Sequence, residues 1–217
     1  MLNERYRDIV SNINEFTYHI LGCGAIGSST AIQLARMGAK EITLYDFDEV
    51  EIQNVGVSQY FNSDVGDYKV DALKNHIKAI DNSIYVETHP HRFDNWESTD
   101  KKDIVVLGFD SMQSRLEAVT IITNKGNSHK PFAIIDGRMG AEHYQQYLFV
   151  KPTLKSYLRS WYSDQDGDPE PCNAKATSYC SNMSGSFIVN SIRKLITNQP
   201  LDKELAFNFP TMMIESK

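Results

Sequence analysis

The chain has 217 residues, 41% of them hydrophobic and 23% charged, with a formal net charge of −6. That length suits one domain with a sizeable core, and the acidic balance excludes a general nucleic-acid or membrane-surface binder, which needs a basic patch. No apolar run approaches the roughly 20 residues that span a bilayer. In chain order, residues 3–13 (NERYRDIVSNI) carry a weak helical pattern, charged and without the apolar stretch of a signal peptide. Residues 16–21 (FTYHIL) form a short strand-prone run that ends at Gly22. Residues 26–37 set Ile26, Ala31, Leu34 and Ala35 near one helical face, and Gly38 stops the helix. Residues 41–45 (EITLY) read as a second strand, closed by Asp46. Residues 48–64 are irregular, with Asn54, Gly56, Asn62, Ser63 and Asp64 as turn formers.

Residues 68–80 repeat the helical pattern, with Val70, Leu73, Ile77 and Ile80 on one side, and residues 84–87 follow as a strand. Residues 103–107 (DIVVL) have the apolar continuity of a strand buried on both faces. A helix over 113–124 and a buried strand over 131–135 (PFAII) complete the alternation. Strands alternating with helices of this length imply right-handed crossovers. The fold expected is therefore α/β and Rossmann-like: a mostly parallel sheet flanked by helices, with its core over about 16–136. From Gln145 the texture changes. QQYLFV reads as a strand beyond the parallel core, the start of a C-terminal antiparallel extension. The acidic stretch 163–171 (SDQDGDPEP) opens a loop over about 163–177. A last helix follows over about 178–197, and LAFNFPTMMI adds an edge strand interrupted by Pro210. The whole of 1–217 reads as one nucleotide-binding domain.

Gly22-Cys23-Gly24-Ala25-Ile26-Gly27 lies between a predicted strand and a predicted helix. Glycines permit a tight turn, and the helix N-terminus offers free N–H groups and its positive dipole end to phosphate. The bland alternative is a turn built for close strand–helix packing. Asp46 follows at about the 20-residue distance at which a carboxylate meets a ribose. On these features alone an NAD-dependent oxidoreductase is a fair reading. It offers no hydride-transfer acid or base, because His19, His76, His89, His91, His129 and His143 all fall where core or surface roles suffice.

The residues after Asp46 shift that balance. Asp46-Phe47-Asp48-Glu49-Val50-Glu51-Ile52-Gln53-Asn54, continuing to Gly66-Asp67-Tyr68-Lys69, resembles the D-x-D-x-V-x-x-x-N-L-x-R-Q … G-x-x-K stretch of the ThiF/MoeB/ubiquitin-activating-enzyme family. The run from Asp110 to Arg115 is similar to that family's V-D-x-x-D-N-x-x-x-R. Gly137-Arg138-Met139-Gly140 after PFAIID resembles its P-x-x-x-G-x-x-x-x-x-G, and Arg5-Tyr6-Arg7-Asp8-Ile9 looks like a shortened R-Y-x-R-Q. The likeness covers nearly the whole chain. It implies a cytoplasmic adenylyltransferase that uses ATP and Mg²⁺ to activate the C-terminal carboxylate of a ubiquitin-like protein or peptide, working as a homodimer or heterodimer. Gly22, Gly24, Gly27, Asp46, Asp48, Asn54 and Lys69 would then hold the nucleotide, and Asp110 the metal. Arg7 would match the arginine that reaches a partner's ATP. On residue chemistry alone Asp110 serves equally as a helix N-cap, Asn54 and Asp48 as turn residues, and Lys69 and Arg7 as solvated surface cations.

Two departures stand out. The position of the family's arginine after the asparagine holds Val57, and no arginine lies between Asp46 and Lys69. A phosphate charge is then left for Arg7, Arg115 or a partner chain to neutralise, or the chain is a nucleotide-binding pseudo-enzyme subunit. The paired CxxC motifs that carry zinc in ThiF and MoeB are also absent, and the three cysteines, Cys23, Cys172 and Cys180, are too few for a disulfide framework. The resemblance marks Cys172, after the acidic loop, as a catalytic acyl acceptor. An incidental loop thiol is the plain alternative. Cys180 reads as packing and Cys23 as structural.

Overall fold

The computed structural model describes residues 5–6, 8–99, 102–126, 129–166 and 176–217. Arg7 and Cys172 lie outside the described residues. The strands are β1 (Phe16–Leu21), β2 (Glu41–Tyr45), β3 (Tyr85–His89), β4 (Lys102–Leu107), β5 (Ala133–Gly140), β6 (His143–Val150), β7 (Glu204–Asn208) and β8 (Met213–Ser216). The helices are α1 (Ala25–Met37), α2 (Ile52–Val55), α3 (Lys69–Ile80), α4 (Met112–Thr123), α5 (Leu154–Tyr157) and α6 (Ser178–Ile196). One eight-stranded sheet runs in the order β3-β2-β1-β4-β5-β6-β7-β8. The first five are parallel, and β6, β7 and β8 add on antiparallel. This is the Rossmann-like α/β sheet with a C-terminal antiparallel extension that the sequence implies.

Helices cover both faces of the parallel part, which is why β1 is buried at all six positions. Tyr18 and Ile20 face one core with Leu34, Leu73 and Ile188. Leu21, Val105 and Leu107 face a second with Trp96, Ile122 and Tyr157. Helix α1 ends at Gly38, whose left-handed φ of 96° lets its N–H reach the carbonyls of Ala35 and Leu34. Helices α1 and α6 pack through small residues: a Cβ on Gly185 would lie 2.4 Å from Ser29 Oγ. That close fit buries Ser181, Ser184 and the first turns of α1 together.

Three local expectations change. The described part of 3–13 forms turns rather than a helix, followed by a 3-10 turn at Ile13–Glu15. Burial of Val10 and Ile13 against the core fixes that path, and a segment so short gains too few helical bonds to compete. The irregular stretch after β2 contains the single-turn α2 and a 3-10 turn, Asn62–Asp64. Finally, the interrupted edge strand is a hairpin. Pro210 sits in the reversal between β7 and β8, where Asn208 Oδ1 accepts the Thr211 N–H at 2.9 Å. No helix among the described residues is long and apolar enough to cross a membrane.

Candidate active site

Strand β1 has β2 on one side and β4 on the other, so the connections leave the sheet in opposite directions at its C-terminal end. Such a switch point opens a crevice. The glycine loop fills its floor, and each glycine has a different reason to be there. Gly22 has φ +89°, and a Cβ on it would meet Gly108 and Phe109 backbone at 2.8 Å. Gly27 is tighter still, with its Cβ position 1.9 Å from Gly22 O. Gly24 has nothing within 4 Å. The outer two glycines therefore close the loop against its neighbours, and Gly24 leaves open space above the start of α1. No side chain caps that helix start, so its first N–H groups remain as donors to a ligand. Buried Tyr60 holds the loop from behind, its hydroxyl donating to Cys23 O at 2.6 Å.

Asp46, at the end of β2, accepts the Cys23 N–H at 2.7 Å and the Asp48 N–H at 2.9 Å. Burial raises its pKa, against the lowering effect of Lys69 and these two N–H bonds. Lys69, in the first turn of α3, sends its ammonium to Asp48 at 2.7 Å. Burial alone would depress the lysine pKa, but Asp46 and Asp48 outweigh it and the net direction is up. Lys69 is therefore a fixed positive charge in the crevice, not a loose surface lysine.

Asp110 lies at the end of the turn after β4. The helix N-cap is its neighbour Ser111, whose Oγ accepts the Ser114 N–H at 3.0 Å. This corrects the capping alternative for Asp110: its exposed carboxylate makes no hydrogen bond among the described residues and lines the crevice. The remaining α4 donors go elsewhere. Asp164 accepts the N–H groups of Met112 at 2.7 Å and Gln113 at 3.3 Å, and Trp161 Nε1 donates to Met112 O at 2.9 Å. The start of the acidic loop is thus latched beside Asp110.

Arg115 braces the turn from below. It donates to the carbonyls of Leu107 and Phe109 and to the wholly buried Asp136 carboxylate. Arg138 donates to the same carboxylate at 2.7 and 2.9 Å, and Tyr157 at 3.1 Å. With its guanidinium in this buried cluster, Arg115 does not take the place of the arginine missing at Val57.

These elements enclose a cavity of about 330 Å³, in the size range of small-molecule sites. Gly22, Gly24, Asp46, Asp48, Lys69 and Asp110 all line it. Gly27 and Asn54 do not: Gly27 packs beneath the loop, and Asn54 Oδ1 accepts the Glu51 N–H at 2.9 Å to cap α2. Cys23 is buried with its thiol pKa pushed well up by burial, and Cys180 is buried with its thiol raised to about 11 for the same reason. Both fit packing roles.

The sequence reading missed the opposite wall. Tyr45 stacks on His89 with ring centroids 4.3 Å apart and meets Phe93 edge-on at 5.2 Å. The Arg92 guanidinium lies over the Phe47 ring at 5.0 Å. Residues 91–93 follow β3 without any motif to mark them. Glu117 was legible in principle, since it lies one turn after Ser114 on the side of α4 that follows Asp110.

Comparison with known proteins shows the family and the fold. Ubiquitin-like modifier-activating enzyme 5 of Drosophila pseudoobscura pseudoobscura is 34% identical over 110 residues, covering 46% of this chain and 28% of that protein. Its Caenorhabditis elegans counterpart is 30% identical over 129 residues, covering 53% and 30%. The chain thus spans less than a third of the length of these relatives. Among solved structures, PaaA superposes with a TM-score of 0.74 at 20% identity, over 95% of this chain and 64% of that one. Escherichia coli MccB with ATP gives 0.74 at 18% identity, over 96% and 65%. A model of the ThiF family matches residues 4–216. The glycine loop, Asp46, Lys69 and Asp110 stand around one cavity on the sheet these structures share, and the chain belongs to the ThiF family.

Proposed function

We propose that this chain is one adenylation domain, which binds Mg·ATP in the crevice and activates the C-terminal carboxylate of a ubiquitin-like protein or peptide. The observation that carries the reading is the open space at Gly24, ringed by uncapped α1 donors, the fixed Lys69 charge and the Asp110 carboxylate, which has no partner among the described residues. The relatives support it by name as activating enzymes of ubiquitin-like modifiers, and MccB has been solved with ATP and with MccA.

In the reaction, an oxygen of the substrate carboxylate attacks the α-phosphorus, and the bond to the departing pyrophosphate breaks. The α1 N–H groups and Lys69 stabilise charge that grows on the phosphate oxygens. Asp46 positions the loop through Cys23 and has acceptor capacity left for a ribose hydroxyl. A hard cation needs oxygen ligands and commonly takes one or two from protein and the rest from phosphate, so Asp110 suits Mg²⁺ without a larger acidic cluster. Bound there, Mg²⁺ would neutralise phosphate charge. In a second step the Cys172 thiolate attacks the acyl carbonyl of the adenylate, the acyl–phosphate bond breaks and AMP leaves; the chain pairs as a homodimer or heterodimer, with Arg7 of one protomer serving its partner. Val57 favours one alternative: a subunit that holds nucleotide without turnover until a partner supplies the missing charge.

Calorimetry with Mg·ATP and with NAD tests the site. Binding of Mg·ATP that requires Mg²⁺ and disappears in Asp110→Ala is expected. Binding of NAD with no response to ATP would overturn the proposal.

A further inference from the structure

The cavity is short of positive charge. Among the described residues, the carboxylates of Asp46, Asp48, Asp110 and Glu117 line it against the cations Lys69 and Arg92. Lys69 is already paired with Asp48. A triphosphate adds more negative charge to this balance. Of the substitutes within this chain for the arginine missing at Val57, Arg7 lies outside the described residues, and Arg115 is buried and committed to Asp136 and two carbonyls. Val57 itself does not reach the cavity, and its N–H bonds back to Asn54 O at 3.2 Å.

Arg92 has none of these commitments. It is exposed at the mouth of the cavity, and its guanidinium has no carboxylate partner among the described residues. The contact it does make engages only the flat face of the group, over Phe47. Stacking of this kind fixes the plane and leaves the edge N–H donors free, the arrangement in which arginine binds phosphate. Phe47 directly follows Asp46, so the stack tethers the guanidinium to the same β2 end that carries the half-buried Asp46 carboxylate.

Resting on the nucleotide reading above, we infer that Arg92, oriented by Phe47, supplies the second positive charge for the phosphate chain in place of the arginine absent at Val57. Arg92 is thus a phosphate-contacting residue reached from the strand after α3 rather than from the segment after β2.

The test is calorimetry of wild type, Arg92→Gln and Arg92→Lys with adenosine, AMP and Mg·ATP, with the unliganded melting temperature as a check on folding. Arg92→Gln should weaken Mg·ATP about ten- to hundredfold, the scale of a hydrogen bond to a charged group. It should weaken AMP less and leave adenosine unchanged. Arg92→Lys should fall between wild type and Arg92→Gln for Mg·ATP and match both for adenosine. An equal loss for adenosine and ATP would overturn the inference by placing the guanidinium on the base or ribose, and so would no loss at all. Wild-type protein that binds none of the three ligands would sink the nucleotide reading and this inference together.

Discussion

The two halves of the sheet obey different rules. Strand β1 and all of β4 after Lys102 are buried on both faces, whereas β6 alternates and all four residues of β8 are exposed. The parallel half is sandwiched by helices, so the central strands β1 and β4 are constrained on both faces and by a strand on either side. The antiparallel half has one strongly covered strand and then thins to an open edge. The crevice belongs wholly to the first half, at the ends of β1, β2 and β4. Precise loop geometry is available only where packing over-determines it.

The sharpest way to break that comparison is inside the glycine loop. Gly27→Ala forces a Cβ to within 1.9 Å of Gly22 O between two packed layers. The expected result is loss of soluble folded protein. Gly24→Ala puts its methyl into open space, so it should melt like wild type while weakening Mg·ATP, because the methyl takes the ligand's place. Soluble yield, thermal melting and calorimetry separate the two. A well-folded Gly27→Ala protein with an unchanged melting temperature would show that packing does not set the loop.

A smaller effect is expected one layer down, at Arg115. Removing one partner of a buried charge cluster costs about 3–5 kcal/mol. Arg138 and Tyr157 remain on Asp136, which puts Arg115→Met near the lower figure and lowers the melting temperature by roughly 6–12 °C. Because Arg115 also holds the carbonyls beside Gly108, Mg²⁺-dependent ATP binding should weaken with it. Loss of stability with binding untouched would mean that the cluster does not position Asp110.

These contrasts also explain what the sequence made legible. Strand and helix order, the loop at Gly22 and the acids at Asp46 and Asp110 are local signals, each carried by a few adjacent residues. The Asp136 cluster is not local: Arg115 and Asp136 sit 21 positions apart, and nothing in either neighbourhood announces a buried charge. The Asp164 latch crosses 52 positions to Met112, so the acidic loop reads as solvated until the fold brings a helix start to it. Arg92 and Phe47 were invisible for the same reason, since strand pairing between β2 and β3 brings their two loops together. Asn54 shows the reverse. A local capping role within α2 accounts for its carbonyl oxygen, a role that motif spacing alone does not separate from ligand binding.

The smallest effect is expected at the open edge. Ile214 is 56% exposed in β8, so Ile214→Ser should change stability by no more than about 0.5 kcal/mol. Leu44→Ala in the parallel core should cost about 2–5 kcal/mol. Measuring both by thermal melting over a range of protein concentrations tells a lone chain from an assembled one. In a lone chain the Ile214 variant tracks wild type at every concentration. If instead the variant melts several degrees lower and the gap depends on concentration, a second molecule covers β8. The contrast between a fully packed half and an open half would then describe the protomer and not the protein in solution.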